Sequence, residues 1–578
     1  MLEDITDEKL KGMTIPKLEA LAQEIREKIT DTVMQNGGHL ASNLGIVELT
    51  IALHYVFDFP CDKLIFDVGH QCYTHKLLSG RYEEFPTLRK KGGLSGFPKR
   101  EESVYDAYNT GHAGTSVSAA LGIAKARDIK GEDFNVIAVI GDGSFNNGLV
   151  YEAFNSVRLL NSHFLLILND NGMSITPTVG TMHDYLEFLE KDTQQQSKKK
   201  RHAEIFERFG FAYDGVYDGH DIAFLISKLK EIKGRLKTES IILHVLTKKG
   251  KGYEFCEEDP QSTHGISPSG SEPITAEYSG VLGSTLCELA EKDPRIVAVT
   301  AAMTPSLGLS GFFQKFPERS VDVGICEEHA SVLCAAMATQ GLKPYYAIYS
   351  TFLQRAYDEI IIDICSQNLP VTLCIDRAGV VGADGETHQG VFDLSYLSSV
   401  PNLTIAVPKD VREFRDMLEA SAGFCGPLAI RYPREGKRLF ISEEPFVFGK
   451  WETLAKGDGR YAILACGERA ITASFLAADI LSSRGIRPAI INARFIKPLD
   501  TEMLSSIREA NIITVEDNVC TGGFGSLVDT YYVNSSRHIR HFALRDAFIP
   551  QATVYESLED HGITGEKIAA YIAKNEIG

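Results

Sequence analysis

NVIAVIGDGSFNNGLVYEAFN, residues 135–155, decides the fold. Val136 to Ile140 are apolar at every position, after which the chain turns on Gly141-Asp142-Gly143 and enters a helix-like stretch. A strand with no polar face is covered on both sides, as in a parallel sheet sandwiched between helices. The same rhythm recurs in HFLLILNDNG (163–172), IILHVLTKKG (241–250), RIVAVTAAM (295–303) and PVTLCIDRAG (370–379). It returns in NLTIAVPKD (402–410), RYAILACGE (460–468) and NIITVEDNV (511–519). Repetition over most of the chain predicts several doubly wound α/β sheets rather than one.

A chain of 578 residues exceeds what one core organises, and composition proposes where it divides. DPQSTHGISPSGSEPIT (259–275) reads as a linker, and YPREGKRLFISEEPF (432–446) as a second break. Domains over 1–265, 276–438 and 439–578 result. EKDTQQQSKKKRHAE (190–204) reads as a solvated surface run. The formal net charge of −18 argues against a nucleic-acid surface. No apolar run reaches the roughly 18–20 residues that span a bilayer, and the acidic MLEDITDEKL is no signal peptide. The eleven cysteines contain no C-x-x-C pair, and Cys326, Cys334, Cys365 and Cys374 lie in apolar surroundings. Reduced thiols and a cytoplasmic protein are expected.

The chemistry starts at two strand ends. Asp142 follows one buried run, and Asn169-Asp170-Asn171 ends the next, with Asn171 29 positions after Asp142. An aspartate–glycine turn alone is commonplace. Paired with a second oxygen-bearing strand end, it suits a divalent cation that holds a diphosphate. Asp142, the Asn171 side chain and the Met173 carbonyl are hard oxygen ligands, and magnesium takes such oxygens together with phosphates. Gly143 lets the backbone approach, and the following helix N-terminus offers N–H groups and a positive dipole end.

The pairing resembles the thiamine diphosphate fingerprint. GGHLASNLGIVELTIALHYVFD (37–58), FDVGHQCYTHKLLSGR (66–81) and NTGHAGTSVSAALGIA (109–124) are similar almost word for word to the 1-deoxy-D-xylulose-5-phosphate synthase family, relatives of transketolase. The likeness runs over nearly the whole chain. It implies a fold of three transketolase-type domains with mostly parallel sheets. It also implies that His70, Gly111-His112-Ala113, Gly143 and Ser144 contact thiamine diphosphate, that His39 faces substrate, and that Tyr253 and His264 lie near the diphosphate. In SVDVGICEEHASVLCAAMATQG (320–341), Glu327 matches the glutamate that activates the cofactor through its aminopyrimidine ring. AIYSTFLQRAYDEIIID (347–363) and CIDRAGVVGADGETHQGVFDLSYL (374–397) match as well. They carry over Phe352 and Tyr349 as the lining of the pyrimidine pocket, Arg355, Arg377 and Arg434 as substrate-binding cations, and Asp384 and His388 as hydrogen-bonding and proton-transfer residues.

The resemblance implies decarboxylative condensation of pyruvate with D-glyceraldehyde 3-phosphate, by a magnesium-dependent homodimer, at the entry to non-mevalonate isoprenoid synthesis. A transketolase-like carboligase with another aldehyde acceptor is the alternative, since acceptor choice rests on few contacts. Four departures stand out. Ala113 replaces a usual serine, Glu328 a usual glutamine, and RYPREG is one residue longer than the family's RYPRG. A compact stretch around 181–208 replaces a long excursion. In the last domain, Gly522-Gly523-Phe524-Gly525 reads as a turn rather than a phosphate loop, and the domain as dimer support.

Overall fold

Strands β1 (Lys63–Phe66), β2 (Val136–Gly141), β3 (Leu165–Asp170), β4 (Phe211–Asp218) and β5 (Ser240–Leu246) form one sheet in the order β1-β2-β3-β5-β4, every pair parallel. Its strands show why the apolar runs are continuous. Ile137, Val139, Leu165, Ile167, Ile241 and Leu243 join one buried cluster with the helices Ile15–Asn36, Val47–Val56 and Ile222–Arg235. Their alternate neighbours Ala138, Ile140, Leu166, Leu168 and Ile242 join a second cluster with Ser116–Lys130 and Gly148–Leu160. Each face buries its own set, so neither can be polar.

The computed structural model describes residues 1–174, 177–193, 203–270, 277–436, 439–441, 445–509 and 511–576. Of the expected linker 259–275, residues 271–275 lie outside these; so do 194–202 of the polar stretch and 437, 438 and 442–444 of the second break. The chain divides into two compact units, Met1–Glu272 with Gly324–Cys326, and Pro273–Val323 with Glu327–Gly578.

The second unit holds two sheets. β6 (Ile296–Thr300), β7 (Ser320–Asp322), β8 (Lys343–Tyr349), β9 (Thr372–Asp376), β10 (Thr404–Ala406) and β11 (Leu428–Arg431) run parallel. The other sheet has the order β12-β14-β13-β16-β17, from β12 (Glu452–Ala455), β13 (Tyr461–Ala465), β14 (Ala489–Asn492), β16 (Asn511–Val519) and β17 (His538–Leu544). Only its edge strand β12 is antiparallel. Between β14 and β16 in sequence, β15 (Phe495–Lys497) leaves that sheet and pairs antiparallel with β10, so the larger sheet reads β15-β10-β11-β9-β8-β6-β7. Three mostly parallel sheets flanked by helices are the architecture expected from sequence. All eleven cysteines are free, Cys61 and Cys425 exposed. Among the described residues no helix is long and apolar enough to cross a membrane.

Candidate active site

In the first unit, register places the expected cation ligands side by side. Gly141 stands opposite Asn169 in the β2–β3 ladder, so the residues just beyond share one sheet edge. The Asn171 N–H donates to Asp142 Oδ1 (3.3 Å), and the Thr178 hydroxyl to Asp142 Oδ2 (2.6 Å). The Asn171 side-chain oxygen accepts the Met173 N–H at 3.2 Å. Burial, and then the charge of Asp170, push the Asp142 carboxyl up to about 7. A buried carboxylate beside a second acid is costly without a cation. One aspartate, one amide oxygen and one carbonyl therefore fit a magnesium ion that completes its shell with phosphate oxygens. Among the described residues no cluster of three or more His, Cys, Asp or Glu forms an all-protein metal cage. Gly143 has a packing role, since a Cβ there would lie 2.8 Å from the Ser174 Cβ.

Lys249 was not singled out in the sequence, yet it sits at this edge. It is 6% exposed, and its ammonium donates to the Ser174 carbonyl at 2.5 Å. Burial pulls it down to about 8, against the pull of Asp142. Asp67, at the end of β1, accepts the N–H groups of Gly114 (2.9 Å) and Ser116 (3.0 Å) and a hydrogen bond from Ser144. It fixes the loop carrying Gly111, His112 and Ala113.

His39, His70 and His264 form a triangle, with ring centroids 5.4–5.6 Å apart and Phe97 5.8 Å from His39. Asn43 ties two of these loops together. Its amide donates to the carbonyls of His39 (2.7 Å) and His70 (2.6 Å), and its oxygen accepts the Tyr73 N–H (2.9 Å). His264 meets the Ser42 hydroxyl at 3.2 Å. Burial, with Lys249 and the other two histidines, holds His264 well below the usual imidazole range, so its ring is neutral. Tyr253 caps the short helix Glu254–Glu258 and packs edge-on against Phe255 at 5.9 Å.

In the second unit, Glu327 opens the helix Glu327–Thr339 and is 4% exposed. Burial raises its carboxyl, opposed by the Arg355 guanidinium 3.4 Å away. Glu328 is only half-buried and adds a weaker push, so the departure from the family's glutamine leaves Glu327 governed by burial and Arg355. Tyr349 and Phe352 stack (5.7 Å, 14°), and Phe352 meets the His388 ring edge-on at 5.7 Å. The His388 Nδ1 lies 2.8 Å from the Thr387 hydroxyl.

The Arg377 guanidinium lies over the Tyr349 ring at 4.2 Å. Its Nη1 donates to Asp376 Oδ2 (2.6 Å), the Ser279 hydroxyl and the Ser306 carbonyl (both 3.3 Å). Arg434 is different. Its buried Nε has no hydrogen-bond partner among the described residues, and burial, then the nearby charge of Arg377, depress its pKa. Two half-buried guanidiniums close enough to repel, one with an unmet buried donor, fit an anion between them.

A profile of the 1-deoxy-D-xylulose-5-phosphate synthase N-terminal domain matches residues 2–205 and 189–247. Profiles of the transketolase pyrimidine-binding and C-terminal domains match 275–438 and 449–568. Proteins named 1-deoxy-D-xylulose-5-phosphate synthase from Clostridium tetani and Dictyoglomus turgidum are 45% and 47% identical to this chain. The alignments cover 99% and 97% of this chain and 98% and 97% of theirs. The chain belongs to the 1-deoxy-D-xylulose-5-phosphate synthase family. A solved transketolase from Campylobacter jejuni covers 97% of the chain and 100% of its own length at 19% identity, with a TM-score of 0.45.

The synthase N-terminal profile is met in two overlapping pieces, and the alignment with the Clostridium relative spans 617 positions, 39 more than the 578 residues here. Its synthase relative therefore carries residues this chain lacks. The overlap at 189–205 coincides with the compact stretch at 181–208. In the last domain, Glu516 accepts the N–H groups of Phe524 (2.7 Å) and Gly525 (2.8 Å). A protein carboxylate thus fills the helix N-terminus that a phosphate loop would leave open, and the glycine run acts as a turn.

Proposed function

We propose that this member of the synthase family joins pyruvate to D-glyceraldehyde 3-phosphate, with loss of carbon dioxide, to give 1-deoxy-D-xylulose 5-phosphate. The protein is a thiamine diphosphate-dependent enzyme, and magnesium is the proposed bridging ion. The supporting observation is the pair Arg377 and Arg434, half-buried and near enough to repel, with one buried guanidinium nitrogen unmet, which suits a phosphorylated acceptor. Bound thiamine diphosphate supplies the nucleophilic carbon and the electron sink.

The residues supply the rest. Asp142, Asn171 and the Met173 carbonyl offer oxygens to magnesium, and Lys249 adds positive charge beside them. Glu327, whose buried carboxyl holds protons more tightly than usual, is suited to share one with an aminopyrimidine nitrogen. Phe352 and Tyr349 offer aromatic faces. His39, His70 and His264 can hydrogen-bond reacting oxygens, and a neutral His264 can donate at one nitrogen and accept at the other. Asp384 and His388 are assigned the proton exchange with the acceptor. We assign the assembly as a homodimer.

The test is mass spectrometry of products after incubation with pyruvate and a panel of phosphorylated and unphosphorylated aldehydes. The expected result is a five-carbon ketose phosphate formed from D-glyceraldehyde 3-phosphate far faster than any other product. Preference for an unphosphorylated aldehyde would overturn the acceptor assignment.

A further inference from the structure

The segment 378–391, which carries Asp384 and His388, leaves the end of β9 in the larger sheet but has its stem elsewhere. Gly379 and Gly390 close its base as an antiparallel bridge, with Gly379 N–H to Gly390 O at 2.6 Å and the reverse at 2.9 Å. The stem residues Val380 and Val391 are buried in the core of the C-terminal sheet, with Ile463, Ile513, Val515 and Ile549. The Val519 N–H donates to the Val391 carbonyl at 3.0 Å.

A charged clamp holds this stem. Asp517 on β16 lies directly beneath Gly379, where a Cβ would fall 1.8 Å from its Oδ2. Gly379 has φ +78°, so any side chain there would be strained as well. Asp517 is held from both sides, by Arg431 Nη1 on Oδ1 (2.9 Å) and Arg469 Nη1 on Oδ2 (3.1 Å). The same Arg469 nitrogen donates to the Val380 carbonyl at 2.7 Å. The tip is approached too: a Cβ on Gly382 would lie 2.9 Å from the Ala552 carbonyl, and one on Gly385 3.1 Å from the Gln551 nitrogen. Gln389 closes the loop on itself, accepting the Val381 N–H (2.7 Å) and donating to the Gly382 carbonyl (3.2 Å).

We propose that the C-terminal domain is a positioning element of the catalytic centre, in which Asp517 and Arg469 hold segment 378–391 so that Asp384 and His388 meet the acceptor substrate. This goes beyond the dimer-support role and rests on the reading of Asp384 and His388 as acceptor-side residues. The physical reason is tolerance. A catalytic side chain displaced by about 1 Å can lose on the order of 100-fold in rate, and the bonds within segment 378–391 fix its shape while its seat is set by the contacts with Asp517 and Arg469. Asp517 and Arg469 are positioning residues, since they touch the loop backbone and not its reacting groups.

The test uses the full-length holoenzyme and the variants Asp517→Asn, Arg469→Met and Arg469→Lys. kcat/KM for the aldehyde should fall by about 10- to 100-fold in the first two, with part of the loss recovered in Arg469→Lys. Thiamine diphosphate affinity by calorimetry should stay at the parent value. A double-mutant cycle separates positioning from mere stability. If Asp517 acts through His388, adding Asp517→Asn to His388→Ala costs little more than His388→Ala alone. Full additivity in that cycle, or parent-like kcat/KM in Arg469→Met, would overturn the proposal. Should Asp517→Asn fold poorly, Arg469→Met decides alone, because it leaves Asp517 paired with Arg431. If Asp384→Asn and His388→Ala themselves keep parent activity, it is the acceptor-side assignment that fails, a result distinct from additivity.

Discussion

Replacing Arg434 by methionine should weaken use of the phosphorylated acceptor more than the same change at Arg377. Arg377 already spends Nη1 on Asp376, Ser279 and Ser306. Arg434 has an unmet buried Nε and a like charge nearby, so its interactions are held in reserve for an anion. A charge-assisted hydrogen bond contributes roughly 1.5–3 kcal/mol, which at about 1.4 kcal/mol per decade is a loss of about 10- to 150-fold. Arg434→Met should sit at the upper end and Arg377→Met at the lower. The ligand-free protein should respond in the opposite sense: removing Arg434 eliminates an unsatisfied donor and a repulsion, so its Tm should not fall. The assay is the ratio of kcat/KM for D-glyceraldehyde 3-phosphate to that for D-glyceraldehyde in each variant, with Tm measured without substrate. Equal losses on both aldehydes would show that the arginines shape the site without reading phosphate. A lower Tm in Arg434→Met would refute the idea that this guanidinium is held ready at a cost to the free protein.

Three further outcomes follow from the geometry. Asp142→Ala should weaken magnesium-dependent thiamine diphosphate binding by about 100-fold or more, because the buried edge loses the carboxylate proposed to hold the cation; unchanged affinity by titration calorimetry would remove the cation assignment. Glu327→Gln should keep cofactor affinity within about tenfold while proton exchange at the thiazolium carbon, followed by NMR, collapses; Glu328→Gln should leave that exchange intact, and the reverse result would name the wrong neighbour. His54 is buried against His75 at 2.9 Å, and burial and then the His75 charge hold it well below the ordinary imidazole value. A depressed histidine pKa gives stability that is complete above the unfolded value of about 6.5 and lost as pH falls beneath it; the Tm of His54→Leu should therefore drop less than the parent's between about pH 7 and 5.5, and parallel curves would count against it.

The sheets were readable because their cause is local. A run such as Val136–Ile140 shows by itself that both faces are buried, and each later run repeats the argument. The Asp142–Asn171 pairing was also legible, since consecutive strand ends in a parallel ladder are brought together by topology. What stayed hidden acts across long sequence separations. Asp67 reaches Gly114, 47 residues on, and Asn43 joins His39 to His70, yet an aspartate after a strand or an asparagine in a loop carries no mark of its partner. Lys249 looked like one of several lysines in TKKGKGYE until its burial set it apart. Arg355 read as a substrate cation, and the structure places it on Glu327. The glycines at 379, 382 and 385 carry no mark in the sequence of the C-terminal residues that pack against them. The defection of β15 to the larger sheet left no pattern in its three residues.

The β2–β3 register has a consequence for how this site could change over time. Asp142 and Asn171 each stand one or two positions past a matched backbone pair, Gly141 and Asn169. Their separation is therefore inherited from the spacing of neighbouring strands, about 4.8 Å, and not from the side chains around them. The peptide backbone acts as a ruler that mutation cannot recalibrate. Stretches such as 181–208 can differ in length between relatives and acceptor contacts can be exchanged while the span between Asp142 and Asn171 stays fixed. An insertion of a single residue within either strand, by contrast, would shift the register and change which residues stand beside one another at this edge.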